Sequence, residues 1–126
     1  MSRVLSMHHV SLLVADTVRA LDFYHGILGI PVDDSRPDPG FPGAWLQVGA
    51  QQIHLLELAD PSDNGTVALH GGRDRHFALY VDELDVFRKR LEQRGIAYTL
   101  SRSGRRALFC HDFDGNAVEL MEMVTD

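Results

Sequence analysis

Apolar and polar positions along the chain alternate first with a period of two, then at helical spacing, then with a period of two again, and this cycle runs twice. Residues 4–14 alternate and carry β-branched side chains, which predicts a strand. Asp16-Thr17 offers a helix N-cap. Val18, Leu21, Tyr24, Ile27 and Leu28 then follow at helical spacing, and Gly29 supplies a stop. An extended piece is expected at 30–34. The stretch from Ser35 to Gly43 holds Pro37, Pro39, Gly40 and Pro42 and reads as a loop. Short strands are expected at 44–48 and 52–58, about a turn at Gly49-Ala50.

The second cycle predicts a strand at 76–81, a helix over 83–94, and strands at 96–101, 105–110 and 117–123. Leu84, Phe87 and Leu91 form one apolar stripe on its helix, which therefore covers a sheet with one face. Asp114-Gly115 marks the last hairpin turn. Between the cycles, residues 60–74 are rich in Asp, Ser, Asn, Gly and Pro and read as a linker.

The two cycles are repeats of each other. His9-Val10-Ser11-Leu12-Leu13-Val14 matches His76-Phe77-Ala78-Leu79-Tyr80-Val81, each helical stretch closes at Gly-Ile (Gly29-Ile30 and Gly95-Ile96), and the run from Gln51 to Leu58 matches that from Asn116 to Met123. A repeat of this size is an architectural statement. The expected fold is α+β: two β-α-β-β-β modules in tandem, module one at 1–59 and module two at 75–126, forming a curved mixed sheet around a central cleft with helices outside. Together they make a single domain over 1–126.

Composition narrows the partners. The 126 residues carry a formal net charge of −6, with 44% hydrophobic and 24% charged residues. That is the profile of a globular protein, and it offers no broad basic surface to nucleic acid or an anionic membrane. One cysteine, Cys110, leaves no intrachain disulfide framework. Neither a signal-peptide core nor a membrane-length apolar run is present, so a cytoplasmic location is expected.

The repeat also pairs chemistry. His9 matches His76, and His54 matches Glu119. Side chains alternate along a strand, so His54 shares a face with Leu56, and Glu119 with Met121. A carboxylate between Val118 and Leu120 is costly to bury unless it is paired or metal-bound. Three imidazoles and one carboxylate suit a divalent metal: Zn, Ni, Co, Fe or Mn. His9, His54, His76 and Glu119 are thus the expected metal ligands, with Glu119 and His54 as catalytic candidates, His54 serving either as ligand or as base.

These features resemble the vicinal oxygen chelate superfamily, which includes glyoxalase I, extradiol dioxygenases, fosfomycin-resistance thiol transferases and bleomycin-binding proteins. The resemblance rests on the repeat, on His9-Val10-Ser11-Leu12-Leu13-Val14-Ala15-Asp16, on Phe23-Tyr24-His25-Gly26-Ile27-Leu28-Gly29, and on the closing run Asp112-Phe113-Asp114-Gly115-Asn116-Ala117-Val118-Glu119-Leu120. It implies a metal-dependent lyase or isomerase of the glyoxalase type that binds a small substrate through neighbouring oxygens. It also implies ligands from the first and last strand of each module, which fall on the same four residues, and a homodimer. Position 54 departs from bacterial glyoxalase I, which has a carboxylate there. The alternatives within the superfamily are a non-catalytic bleomycin-type binding or resistance protein, a fosfomycin-type thiol transferase and a dioxygenase.

Other residues read more plainly. Arg102, Arg105 and Arg106 flank a turn and read as a solvated hairpin tip, with anchoring of a carboxylate or phosphate as the alternative. Arg73 and Arg75 precede His76 and are divided between the two readings. His8 points away from His9, and His25, His70 and His111 read as surface histidines. Cys110 reads as a small buried residue. Trp45 is either core or cleft lining.

Overall fold

The computed structural model describes residues 2–59 and 75–123. The expected linker therefore lies outside the described residues. The chain divides into two compact units, Met1–Pro61 and Ser62–Asp126.

Unit one holds β1 (His9–Val14), β2 (Val32–Asp33), β3 (Gly43–Val48) and β4 (Gln51–Glu57) in the order β1-β4-β3-β2. β1 runs parallel to β4, and the other neighbours are antiparallel. Register places Leu12, Leu55 and Ala44 in one row and Val10, Ile53 and Leu46 in the next. Leu46, Ile53 and Leu55 are fully buried there, together with Phe23 and Tyr24 of the helix. Each such side chain contributes about 1.5–3 kcal/mol by leaving water. The opposite face carries His9, Ser11, Gln52, His54 and Trp45.

Unit two repeats the plan. β5 (His76–Val81), β6 (Tyr98–Leu100), β7 (Ala107–His111) and β8 (Ala117–Glu122) lie in the order β5-β8-β7-β6, with β5 parallel to β8. Leu108, Val118 and Leu120 form its core with Leu84 and Leu91 of the helix α2 (Leu84–Gln93). The expected α+β pair of β-α-β-β-β modules is thus present, as one mixed four-stranded sheet in each unit.

Two expectations are corrected. The first strand begins at His9, not at residue 4; residues 2–8 lie outside any strand, and Val4 and Leu5 are exposed. The apolar stripe of the first helix is Ala20, Phe23, Tyr24, Ile27 and Leu28, while Val18 is 80% exposed. The cause is a change of winding. Helix α1 starts as an α-helix over Thr17–Leu21 and continues as a π-helix over Asp22–Ile27, which resets the phase of the buried face.

That wide turn absorbs an extra residue. The repeat offset is 67 at His9 and His76 but 66 at Gly29 and Gly95. In unit two the helix ends with Gly95 N–H donating to Glu92 O and Ile96 N–H to Leu91 O, the Schellman pattern. In unit one each reach is one residue longer, from Gly29 to His25 and from Ile30 to Tyr24. Both glycines have positive φ, 75° and 66°, which a side chain would disfavour.

The last strand of each unit holds the start of its helix. Glu57 Oε1 accepts from Thr17 N–H at 2.7 Å, and Glu122 Oε1 accepts from Leu84 N–H at 3.2 Å. These carboxylates satisfy helix N–H groups that have no intrahelical partner and favour the positive end of the helix. Nothing in the residue spacing announced this role, although Glu57 and Glu122 do occupy matching positions of the repeat. Among the described residues no helix is long and apolar enough to cross a membrane.

Candidate metal centre

The four residues expected from the repeat fall into two pairs, one in each unit. In unit two, His76 stands on edge strand β5 and Glu119 on the neighbouring β8, two positions apart in register, since Ala78 faces Glu119. His76 Nε2 lies 3.3 Å from Glu119 Oε1. The Glu119 side chain is only 5% exposed, and the other oxygen, Oε2, lies 3.5 Å from Arg105 Nη2. Phe109, in register with Glu119 on β7, sets its ring edge-on to His76 at 5.3 Å. A buried carboxylate is thus compensated by two cation-capable groups, as its environment requires.

Unit one has the same layout with different chemistry. His54 on β4 faces Ser11 on one side and Trp45 on the other. Its imidazole lies between Trp45, stacked at 4.5 Å, and His9, stacked at 3.9 Å. His54 Nε2 donates to Gln52 Oε1 at 2.8 Å, while Gln52 Nε2 donates to Asp33 and to Gln47. This chain of amides assigns the ring proton to Nε2 and leaves Nδ1 with its lone pair. Burial first, then the neighbouring His9 and His8, hold the His54 imidazole below its ordinary value. Asp33 is held below the usual carboxylate range by the Ser35 backbone N–H and hydroxyl. His8 Nδ1 lies 2.7 Å from His9 Nδ1, within hydrogen-bond distance, so His8 joins this cluster.

The donor chemistry fits a metal in unit two. Two ligand atoms each about 2.1 Å from a divalent ion, at tetrahedral or octahedral angles, stand about 3.0–3.4 Å apart. The His76–Glu119 separation of 3.3 Å falls in that range. The fit in unit one is poorer, because the stacked rings of His9 and His54 lie in nearly parallel planes 16° apart, and in-plane lone pairs in stacked planes do not meet at one ion. Among the described residues no three His, Cys, Asp or Glu side chains gather as a ligand cluster.

Arg102 is exposed, as a solvated tip requires, but Arg105 and Arg106 depart from that reading. Arg105 reaches Glu119, with its Nε on Ser103 Oγ at 3.1 Å. Arg106 turns to the helix side and bonds Glu122 at 2.6 Å and Asp85 at 3.3 Å. Alternation along the chain sends consecutive arginines to opposite faces, which is the signal the sequence held. Arg75 is exposed, whereas Arg73 and His70 lie outside the described residues. His25 is exposed with Nδ1 on Ile30 O, whereas His111, expected at the surface, sits half-buried at the end of β7. Cys110 is buried, and that burial pushes its thiol up to about 12.

Tandem β-α-β-β-β units, each with one mixed four-stranded sheet, define an α+β class built from paired modules. The chain belongs to the Glyoxalase/Bleomycin resistance protein/Dioxygenase superfamily, whose family model matches residues 6–120. It is 33% identical over 122 residues to Glyoxylase I 4 of Arabidopsis thaliana, covering 91% of this chain and 69% of that protein. Its fold is similar to that of a mutant fosfomycin resistance protein FosX from Listeria monocytogenes, solved with Mn(II) and 1S,2S-dihydroxypropylphosphonic acid (TM-score 0.76, 17% identity, 97% of this chain and 95% of that one). It is also similar to TnmS3, an antibiotic binding protein from a Streptomyces species (TM-score 0.72, 25% identity, 98% and 100% covered).

Proposed function

We propose that this chain is a glyoxalase-type, metal-dependent lyase or isomerase that takes a small substrate through neighbouring oxygens. The observation that carries the reading is the His76–Glu119 pair, a buried carboxylate within 3.3 Å of an imidazole nitrogen on an adjacent parallel strand. Superfamily members commonly use divalent metals, and FosX was solved with Mn(II). A divalent ion would supply Lewis acidity toward the substrate oxygens. His76 and Glu119 would hold it, and His9 and His54 are the equivalent candidate pair of unit one in this proposal. Glu119 has a second task open to it, since a carboxylate that leaves an ion can accept or return a proton. His54, its Nε2 held by Gln52, offers Nδ1 for the same purpose. A cytoplasmic homodimer completes the reading.

Elemental analysis of untagged protein tests it. The expected result is near-stoichiometric divalent metal, lost on His76→Ala and on Glu119→Ala. Single His9→Ala and His54→Ala variants then decide whether those imidazoles are ligands. Absence of metal after reloading with Zn, Ni, Co, Fe(II) and Mn would end the metalloenzyme reading.

A second reading is sequestration of a planar ligand by the Trp45–His54–His9 stack, whose three flat rings already lie nearly parallel. TnmS3 is an antibiotic binding protein. Tight binding of a flat aromatic compound by chelator-treated protein, abolished by Trp45→Ala, would favour it.

A further inference from the structure

Arg105 and Arg106 are consecutive, yet they are held very differently. Arg106, just before β7, has two carboxylate partners, Glu122 at the end of β8 at 2.6 Å and Asp85 in the first turn of α2 at 3.3 Å. Arg105 reaches Glu119 at 3.5 Å, the outer limit of a hydrogen-bonded ion pair. Its side chain is 56% exposed, and its other anchor is the hydroxyl of Ser103 on an exposed loop. A half-exposed arginine turns its charged head out to water at little cost. Glu119 has no such freedom, being buried with its two oxygens divided between His76 and Arg105.

Resting on the metal reading above, we infer that Arg105 is a stand-in cation: it occupies Glu119 Oε2 in the metal-free protein and is displaced when a divalent ion binds. A buried carboxylate must have a countercharge. Without metal, Arg105 supplies it. With metal, the site would hold two cations against one carboxylate, and the guanidinium is the one free to leave. Arg105 is therefore a positioning residue that competes with the metal and sets how readily the site loads.

Isothermal titration of chelator-treated protein with Mn(II) and, separately, Zn(II) tests this on the wild type, Arg105→Gln and Arg102→Gln. Arg102→Gln removes an equal charge from the same hairpin and leaves the Arg105–Glu119 contact in place. Loss of a competing charge beside the ion raises affinity by about three- to tenfold in Arg105→Gln. Arg102→Gln stays within about twofold of wild type, the range expected of an exposed charge. Thermal melts give a second readout. Metal-free Arg105→Gln melts below wild type, whereas the metal-saturated proteins melt together. Equal or weaker metal affinity in Arg105→Gln overturns the inference and makes Arg105 a support for Glu119. If the wild type binds neither ion, the metal reading itself fails and takes this inference with it, an outcome distinct from equal binding in both.

Discussion

Replacing Glu119 by glutamine removes a charge and almost no volume, so it separates what the carboxylate does for the fold from what it does for a metal. The Glu119 side chain is 5% exposed and its Arg105 partner 56%. Two unit charges about 4 Å apart attract by about 4 kcal/mol at an effective dielectric of 20. Solvent around the half-exposed guanidinium reduces this to about 1–2 kcal/mol. Against it stands the desolvation of the carboxylate, several kcal/mol for a buried ion. The balance favours the neutral isostere slightly. In Glu119→Gln Arg105 can turn to water, and the amide can still bond His76. Metal-free Glu119→Gln should therefore be as stable as wild type or more stable by about 1 kcal/mol, a rise in Tm of up to about 5 °C. Its metal affinity should fall by at least about a hundredfold, because an amide oxygen is a poor substitute for a charged ligand. Urea denaturation of chelator-treated protein gives the first quantity and calorimetric titration the second. A loss of more than about 2 kcal/mol in the metal-free variant would refute the reasoning, since Glu119 would then be a structural ion-pair residue.

Three further predictions follow from particular contacts. A Cβ at Gly43 would lie 2.2 Å from Leu55 O and 2.9 Å from Arg36 Nη2, so Gly43→Ala should cost about 1–3 kcal/mol in urea denaturation; a neutral result would mean that β3 and β4 can separate locally. Loss of the Glu57 carboxylate strips Thr17 N–H of its partner, and Glu57→Ala should cost about 1–2 kcal/mol by the same assay. His54 is held below the ordinary imidazole value by burial and by His9 and His8. As pH falls through the ordinary value the unfolded chain takes up the proton first, so metal-free protein should lose stability over that window and stop losing it below the folded value. The single Trp45, stacked on His54, should report the titration by fluorescence, and a midpoint at or above the ordinary imidazole value would contradict the stacked geometry.

The parts of this fold that were legible in the sequence are those that repeat. Two matched cycles of alternating runs and helical stretches, each helical stretch closing at Gly-Ile, were enough to place the eight strands of the described residues in two modules, because a strand and a helix each impose a fixed period on whatever must be buried. The π turn at Asp22–Ile27 was not legible from periodicity, since it is a break in period. Its trace was numerical: an offset that slips by one residue between His9 and Gly29 needs a place to put that residue, and a widened turn is such a place. Residues 4–8 misled for the opposite reason. Leu5, Ser6 and Met7 alternate just ahead of β1, but alternation specifies a strand only where a neighbouring strand exists to pair with it, and β4 begins at Gln51, with Gln52 already opposite His9.

The site divides along the same line. That His9, His54, His76 and Glu119 share repeat-equivalent positions follows from counting, and the structure gives each unit one pair in contact. What those pairs do with one another depends on the third dimension. The stack of His9 on His54 is a diagonal across β1 and β4, and the Arg105–Glu119 contact joins residues fourteen apart around a hairpin. Such contacts leave no local pattern. They follow instead from the one quantity the sequence did expose, the cost of a carboxylate between Val118 and Leu120. Once Glu119 is buried on the face away from α2, its charge calls for cation-capable partners on that face, which His76 and, from the loop leading into β7, Arg105 supply. Arg105 and Arg106 alternate sides, so only one of them could answer, and the other was left to hold Glu122 at the head of the helix.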